Sequence, residues 1–425
     1  MHAILPRASP ARKAWGGFVC PSCRQSIRRF SASAVRRGGI PPPPKSAYAH
    51  LSSRRLISVA GPDAPKFLHG IITQAVVAEP NTSGGRRFNT PSSAISAANS
   101  TAGSPGFYAA FLNATGRVLH DVFVYRDTLG LSGGAGAEGE AFVVEVDAGQ
   151  VDVLAKHIKR YKLRSKLVCR VLDEGECAAW QVWDSASSLS AAPRVKDAVT
   201  LPDTRAPGMG YRVLRRGDGT GELELDVEKS DDTAYRIHRY LLGVAEGQAE
   251  IPREQALPLE ANMDVAGGID FRKGCYVGQE LTIRTRHRGV VRKRLLPCLL
   301  YPSSPPPQKL EYNSYIGQGQ PGEGQELSAE DVPSNISIGR DGAKGRSAGT
   351  WLRGVGNVGL ALCRLQIMTD VELPGETAAA PFDPSKDEFL VKWGADEEGN
   401  GGQSVKIKAF VPDWLREKLN EGKEH

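Results

Sequence analysis

One cysteine stands in a setting suited to chemistry. Cys275 lies in the run RKGCYVGQE (Arg272 to Glu280), between Gly274 and Gly278 and just after Arg272 and Lys273. Glycines adopt backbone angles closed to other residues and let a partner approach closely. Adjacent cations favour thiolate over thiol, and the thiolate is both the nucleophile and the metal ligand. Tyr276, Gln279 and Glu280 complete the run. Residues Gln279 to Arg288 read as a short helix ended by Gly289, which sets the cysteine near a positive helix terminus. Thr282, Ile283 and Thr285 favour a strand at the same place. The bland alternative is a buried structural cysteine, since cysteines are common in cores.

Counting ligands narrows what such a thiol can do. An iron–sulfur cluster takes several thiolates, typically about four. No other Cys or His lies within the run, so a cluster held by Cys275 needs a partner to supply the remaining ligands. That describes an assembly or transfer factor, not a redox carrier. The chain's seven cysteines (20, 23, 169, 177, 275, 298 and 363) are scattered and odd in number. Such usage is no disulfide framework and suits a reducing compartment. Cys20 and Cys23 have the spacing of a metal knuckle, but no second pair accompanies them.

The N-terminus carries an address. Met1 to Pro62 contains no Asp or Glu, while arginines recur among Ala and Ser. This is the composition of a mitochondrial transit peptide, and the run Arg28-Arg29-Phe30-Ser31 reads as a matrix-peptidase site cut after Phe30. Removing Met1 to Phe30, with its six Lys/Arg, leaves 48 basic and 48 acidic residues. The pI of about 8.9 therefore reflects the address, and it gives no support to nucleic acid binding. No run approaches the roughly eighteen apolar residues of a membrane span.

The elements that must position Cys275 alternate irregularly. A Pro-rich linker (Pro41 to Pro44) leads into a first region. Arg55 to Val59 reads as a strand, and Asp63 caps a short helix with Phe67, Leu68, Ile71 and Ile72 on one face. Thr82 to Gly106 reads as a disordered excursion and Leu129 to Gly139 as a flexible loop. Between them Phe107 to Leu112 and Arg117 to Tyr125 form a hairpin about Asn113 to Gly116. Further strands are expected at Ala141 to Val146, Leu167 to Leu172 and Ala179 to Trp183, with helices at Val151 to Tyr161 and Asp232 to Leu242, the latter closed by Gly243. There is no Gly-rich dinucleotide or phosphate loop after a strand. The class is α+β. Past Arg294 the texture becomes short strands (Leu295 to Tyr301, Val355 to Leu365, Phe389 to Trp393, Val405 to Val411), which suggests a small β-barrel with its boundary near Arg292. Residues 1–46, 47–291 and 292–425 are the expected divisions, with a disordered insertion near 302–349.

The segment LPLEANMDVAGGIDFRKGCYVGQELTIRTRHRGVVRKRL (Leu257 to Leu295) resembles the signature of the folate-binding, YgfZ-type iron–sulfur assembly proteins, and KGCYVGQE (Lys273 to Glu280) is its most specific part. Weaker echoes are KFLHGIITQAV (Lys66 to Val76), FLNATGRVLHDVFVY (Phe111 to Tyr125), YKLRSKL (Tyr161 to Leu167), MGYRVL (Met209 to Leu214), YRIHRYLLGVAEG (Tyr235 to Gly247) and VGNVGLALCRL (Val355 to Leu365). The group shares a superfamily with the glycine cleavage T-protein, a tetrahydrofolate-dependent aminomethyltransferase. The resemblance implies a ring-like set of aminomethyltransferase-like α+β domains around a folate-sized pocket, followed by a C-terminal barrel. It also implies support of 4Fe-4S protein maturation in the mitochondrial matrix, with A-type iron–sulfur carriers as partners and a cluster shared through Cys275. Glu260 matches the glutamate that reads the pterin ring, a task that paired hydrogen bonds to a carboxylate suit. Arg284, Arg286 and Arg288 are candidates for the glutamyl carboxylates of folate or for an acidic partner; a solvated basic surface is the plain alternative.

The resemblance departs at one place. The aminomethyltransferases carry paired aspartates at the end of the hairpin motif, and here the positions read His120-Asp121. The sequence therefore favours a non-catalytic assembly factor over a one-carbon transferase. An RNA-binding or tRNA-modification role through Arg284 to Arg294 comes third, for want of a recognised motif.

Overall fold

A computed structural model of the chain describes residues 39–77, 104–134, 140–185, 192–316, 327–342, 346–373, 382–384, 386–394 and 402–421. The chain divides into Met1–Gly39 and Ile40–His425, and all elements below belong to the second unit. The expected transit peptide and most of the excursion from Thr82 lie outside the described residues.

The hairpin forms as its turn chemistry dictates. Strands β3 (Gly106–Leu112) and β4 (Val118–Arg126) pair antiparallel, with Ala110 opposite Asp121. The Asn113 side chain accepts from the N–H groups of Thr115 at 3.1 Å and Arg117 at 2.9 Å, which winds the turn. With β2 (Arg54–Ala60), β5 (Ala141–Asp147) and β6 (Val168–Val171) the hairpin builds a sheet ordered β3-β4-β5-β2-β6. Helices α1 (Ala64–Ile71) and α2 (Val151–Lys162) pack on one of its faces, where Leu68, Leu154 and Ile158 meet Ile57, Phe111 and Val144.

A second sheet, ordered β10-β1-β7-β9-β8, comprises β1 (Ser46–His50), β7 (Cys177–Asp184), β8 (Ala198–Pro202), β9 (Tyr211–Arg216) and β10 (Glu228–Ser230). Helix α3 (Asp232–Leu242) has the bounds its caps predict. Asp231 accepts from the Ala234 N–H at 2.8 Å, and Gly243 takes the left-handed conformation at φ 74°. Helix α4 (Gln279–Arg288) follows with Gly278 as its N-cap and Gly289 as its C-cap.

Buried ions join the two sheets. Arg54 of β2 binds Glu145 of β5 at 2.8 Å and faces Asp121 of β4 at 3.5 Å. Arg212 of β9 reaches both Glu145 and Glu246, and Arg205 binds Asp203 and Glu246, each at 2.7 Å. Every one of these side chains is buried. Burial works to raise the Glu246 carboxyl, but the surrounding guanidiniums, Arg212 first, hold it well below the usual carboxylate range. Removing one partner would strand a charge in the core.

The C-terminal part is a closed six-stranded barrel, β11-β14-β13-β12-β15-β16. Its strands are β11 (Lys293–Tyr301), β12 (Ile336–Arg340), β13 (Gly349–Val355), β14 (Val358–Arg364), β15 (Phe389–Trp393) and β16 (Gln403–Ala409). Short α5 (Leu365–Met368) and terminal α6 (Asp413–Glu421) accompany it. Two expectations are corrected here. The insertion near 302–349 is not structureless throughout, because β12 lies within it and pairs with both β13 and β15. The single strand expected at Val355 to Leu365 is the end of β13, a turn at Gly356 (φ 61°) and β14. The α+β class with a terminal barrel stands.

Candidate functional site

Cys275 is exposed, alone among the described cysteines. Cys169 is half-buried, and Cys177, Cys298 and Cys363 are buried. Burial pushes the Cys169 thiol up to about 11 and the Cys177 thiol up to about 12, so both stay protonated at neutral pH. Cys298 and Cys363 face each other inside the barrel with their sulfurs 3.8 Å apart.

The loop that presents Cys275 is held from two sides. On one side is the C-terminus of α1, whose last carbonyls have no donors within the helix. Lys273, only 7% exposed, turns inward and donates from Nζ to the carbonyls of His69 at 2.5 Å, Ile72 at 2.7 Å and Gln74 at 3.1 Å. An ammonium has three protons to give, and three acceptors meet it. The Tyr276 ring lies 4.7 Å from Nζ, close enough for a cation–π contact. The Val277 N–H donates to the Gly70 carbonyl at 3.1 Å. Just upstream, Thr73 Oγ1 donates to Gly268 O at 2.6 Å and accepts from the Ala110 N–H at 2.8 Å, while Gln74 donates to Gly267 O. The residues on either side of the cysteine are thereby laced to residues 69–74.

The other side is a contact between glycines. Gly278 adopts φ +80° and Gly116, in the hairpin turn, φ +82°. A Cβ on Gly278 would collide with the Asn113 carbonyl oxygen and lie 2.9 Å from Leu112 Cβ; one on Gly116 would lie 2.8 Å from Leu281 Cβ. Only glycine allows both this approach and this backbone. Gln279 then closes the turn, its Oε1 accepting from the Tyr276 N–H at 3.2 Å. Arg272 and Glu280 are exposed, and Gly274 is half-buried beside the thiol. Glu280 sits in the first turn of α4, where its charge complements the helix dipole.

The structure brings Glu260 close to the same helix. Its carbonyl accepts from the Leu295 N–H at 2.8 Å, tying it to β11, and its carboxylate lies 3.7 Å from Lys293 Nζ. Glu260 lines a cleft of about 270 Å³ whose walls include Leu259, Leu281, Thr282 and Val291, with Arg292, Lys293 and Arg364 as its cations. The Thr282 hydroxyl is buried there without a well-formed hydrogen bond. His120 and Asp121 point into the core instead. His120 is fully buried, neither ring nitrogen has a partner, and burial pushes its pKa down to about 3.

Sequence reasoning placed the cysteine, its glycines and the helix after it. It did not find the clamp formed by Lys273, Thr73 and Gln74, whose partners lie some two hundred residues away in the chain. The echo KFLHGIITQAV was the one sign of it. Among the described residues, no three His, Cys, Asp or Glu side chains gather as a metal cage.

Comparison with known proteins adds relationship to geometry. Residues 292–417 match the family model described as the CAF17 C-terminal beta-barrel domain. The chain is 52% identical over 404 residues to the mitochondrial iron–sulfur cluster assembly factor IBA57 homologue of Pyricularia oryzae, covering 95% of this chain and 93% of that protein. It is 49% identical to the Chaetomium globosum homologue of the same name, over 96% and 95% of the two chains, and 42% identical to that of Neurospora crassa, over 97% and 91%. Among solved structures, the glycine cleavage system aminomethyltransferase T of Bartonella henselae superposes with a TM-score of 0.54. The match has 12% identity and covers 88% of this chain and 87% of that one, a likeness of fold.

Proposed function

The chain belongs to the family of mitochondrial iron–sulfur cluster assembly factors, and from that membership we propose that Cys275 is its working residue, one thiolate ligand to a cluster whose remaining ligands a partner provides. It is a mitochondrial iron–sulfur cluster assembly factor. The finer reading is that it works in the matrix with A-type iron–sulfur carriers to mature 4Fe-4S proteins, the cluster being cargo. The observation that carries it is the exposed Cys275 on a loop clamped at Lys273 and Gly278. Such a loop holds a soft ligand in a fixed place at little ordering cost when a partner arrives. In the same proposal, residues 1–46 are transit peptide and linker, 47–291 the aminomethyltransferase-like region, and 292–425 the barrel domain.

Anaerobic reconstitution with an A-type carrier, followed by absorption and circular dichroism spectroscopy, tests the reading. Wild-type protein should form a shared cluster. Cys275→Ser should form none, because a hydroxyl is a poor soft-metal ligand, yet it should fold within about 0.5 kcal/mol of wild type, as exposed sites do. Serine variants of buried Cys298 and Cys363 should lose stability and keep the cluster. A full cluster signal from Cys275→Ser would remove the thiol from the account.

We also propose tetrahydrofolate as a ligand of the Glu260 cleft. A carboxylate, an apolar floor and a cationic edge match a pterin head and a glutamyl tail, and the size suits the head alone. Glu260 would accept from the pterin's amino and ring N–H groups, with Lys293 beside it at 3.7 Å and Arg292 and Arg364 as the further cations of the cleft. Glu260→Ala should weaken binding by about 1–3 kcal/mol. Calorimetry that detects no folate binding to the intact protein would dismiss the ligand and leave the cluster role in place.

A further inference from the structure

We propose that the exposed flank of α4 bearing Arg284 and Arg288, continued by Arg117 and Arg272, is the docking surface for an acidic face of the cluster-carrying partner; this rests on the reading of Cys275 above and gives that partner its chemistry.

Helix α4 has ten residues and buries only Thr282. Leu281, Thr282 and Thr285 face the cleft. Arg284 and Arg288, one turn apart, and His287 beside them are exposed. Among the described residues, Arg117, Arg272, Arg284, Arg286 and Arg288 make no ion pair, as is also true of exposed Arg160 and half-buried Arg215, whereas the buried Arg54, Arg205, Arg212, Arg239 and Arg294 all do. Arg286 lies over the Phe271 ring at 5.3 Å, and Arg117 donates to the Gln255 carbonyl at 2.6 Å. Glu280 is the one acid of the helix.

The helix dipole accounts for cations in the last turn, Arg286 and Arg288, but not for Arg284, Arg117 or Arg272. Arg284 and Arg288 repel each other one turn apart and so work against the isolated helix. What Arg117, Arg272, Arg284 and Arg288 share is their attachment to the elements that frame the Cys275 loop. Arg272 lies three residues before Cys275, Arg117 follows the glycine that packs on Gly278, and α4 begins four residues after Cys275. A cluster bound by thiolates is itself anionic, so a partner delivering one brings negative charge to this place. Unpaired arginines there would steer it in and fix its orientation. Charge balance over the chain after Phe30, 48 against 48, makes the patch local and favours a protein over a nucleic acid.

The test measures association of the full chain with a cluster-loaded A-type carrier by stopped flow and calorimetry, between about 50 and 300 mM salt, a range over which screening lengths shorten markedly. The charge-reversed double variant Arg284→Glu/Arg288→Glu should associate about 10-fold more slowly or worse and lose most of its salt dependence. Arg117→Glu, on the hairpin turn and not the helix, should slow association in the same direction, so the test survives a helix that tolerates reversal poorly. Cys275→Ser should dock at the wild-type rate while failing to take the cluster. Wild-type rates in both reversed variants would overturn the surface and leave Cys275's role untouched. No binding of wild type to the carrier would overturn the partner reading and this occupant with it. A single-stranded RNA 20-mer (about that length) that binds through Arg284 and Arg288 while carrier association is unchanged would overturn the protein partner in favour of nucleic acid.

Discussion

Replacing Lys273 by methionine separates two roles that its position beside the cysteine confounds. If the lysine serves chiefly as a cation for the thiolate, its charge is what matters. The geometry assigns it instead to the backbone, with three carbonyls from residues 69–74 meeting one buried ammonium. Methionine keeps the length and apolar stem but offers no donor. A hydrogen bond to a charged group contributes about 1.5–3 kcal/mol, and a buried acceptor left unmet costs about 1–3 kcal/mol. Water can reach some of the freed carbonyls, and the three bonds are not additive, so a loss of about 2–4 kcal/mol in global stability is expected. Lys273→Arg keeps the charge but replaces a compact ammonium with a wide planar fork, and it should lose nearly as much. Urea unfolding gives the stability, and cluster uptake with a carrier gives the function. Both variants should fail in both measurements. The reasoning is refuted if Lys273→Met unfolds within about 0.5 kcal/mol of wild type, or if arginine restores cluster uptake in full.

Two further outcomes follow from the same structure. Gly278→Ala places a Cβ against the hairpin turn at φ +80°; it should cost at least about 2 kcal/mol, more than the left-handed backbone alone, and speed amide exchange at Val277. Gly133→Ala, also at positive φ but with nothing within 4 Å, is the control and should cost about 1 kcal/mol; equal losses would deny the glycine contact its role. Burial disfavours the charged form of His120 and pushes its pKa from the ordinary 6.5 down to about 3 in the folded protein. The unfolded state therefore binds more protons between those values, and stability falls as pH drops from 6.5 toward 3. In His120→Phe that slope should flatten by up to about 1.4 kcal/mol per pH unit; unchanged slopes in pH-dependent urea melts would show that His120 is not the group involved.

What could be read from the chain divides along physical lines. Helix α3 was legible because Gly243 closes it, and the structure adds Asp231 as its N-cap. Helix α4 was half legible: Gly289 marked its end while Thr282, Ile283 and Thr285 favoured a strand, and the docked turn at Gly278 overrides that propensity. Strand β1, with sequence SAYAH, has no pattern of its own and exists by pairing with β7 and β10. Strand β12 is five residues inside a polar stretch, and barrel closure makes it a strand. Cys275 stood out because the glycines and cations that frame it are its neighbours in the chain. Lys273 was misread in part because its partners are carbonyls, which carry no sequence signature, supplied by a distant helix end.

The hairpin position that holds paired aspartates in the aminomethyltransferases yields the last prediction. Asp121 is fully buried, its Oδ1 accepts from the Gly247 N–H at 3.1 Å, and Arg54 lies 3.5 Å from Oδ2. Desolvation raises its pKa above the ordinary carboxylate value. A group that transfers a proton or steadies a substrate must touch it, and Asp121 touches the packed interior of two sheets. His120 beside it is fully buried, and burial pushes its pKa down to about 3. The wild-type protein should therefore show no turnover of tetrahydrofolate with an aminomethylated lipoyl carrier. Restoring the acid pair with His120→Asp should not create that activity. It would place a carboxylate in a fully buried position where neither imidazole nitrogen finds a partner. Burying an unpaired charge there should cost several kcal/mol, roughly 3 or more, unless the new group stays protonated. The expected result is a protein that melts earlier, most of all above pH 6, and remains inactive as a transferase. Turnover by the wild type, or a gain of turnover in His120→Asp without loss of stability, would mean that the hairpin still faces a substrate and that Cys275 is not where the chemistry resides.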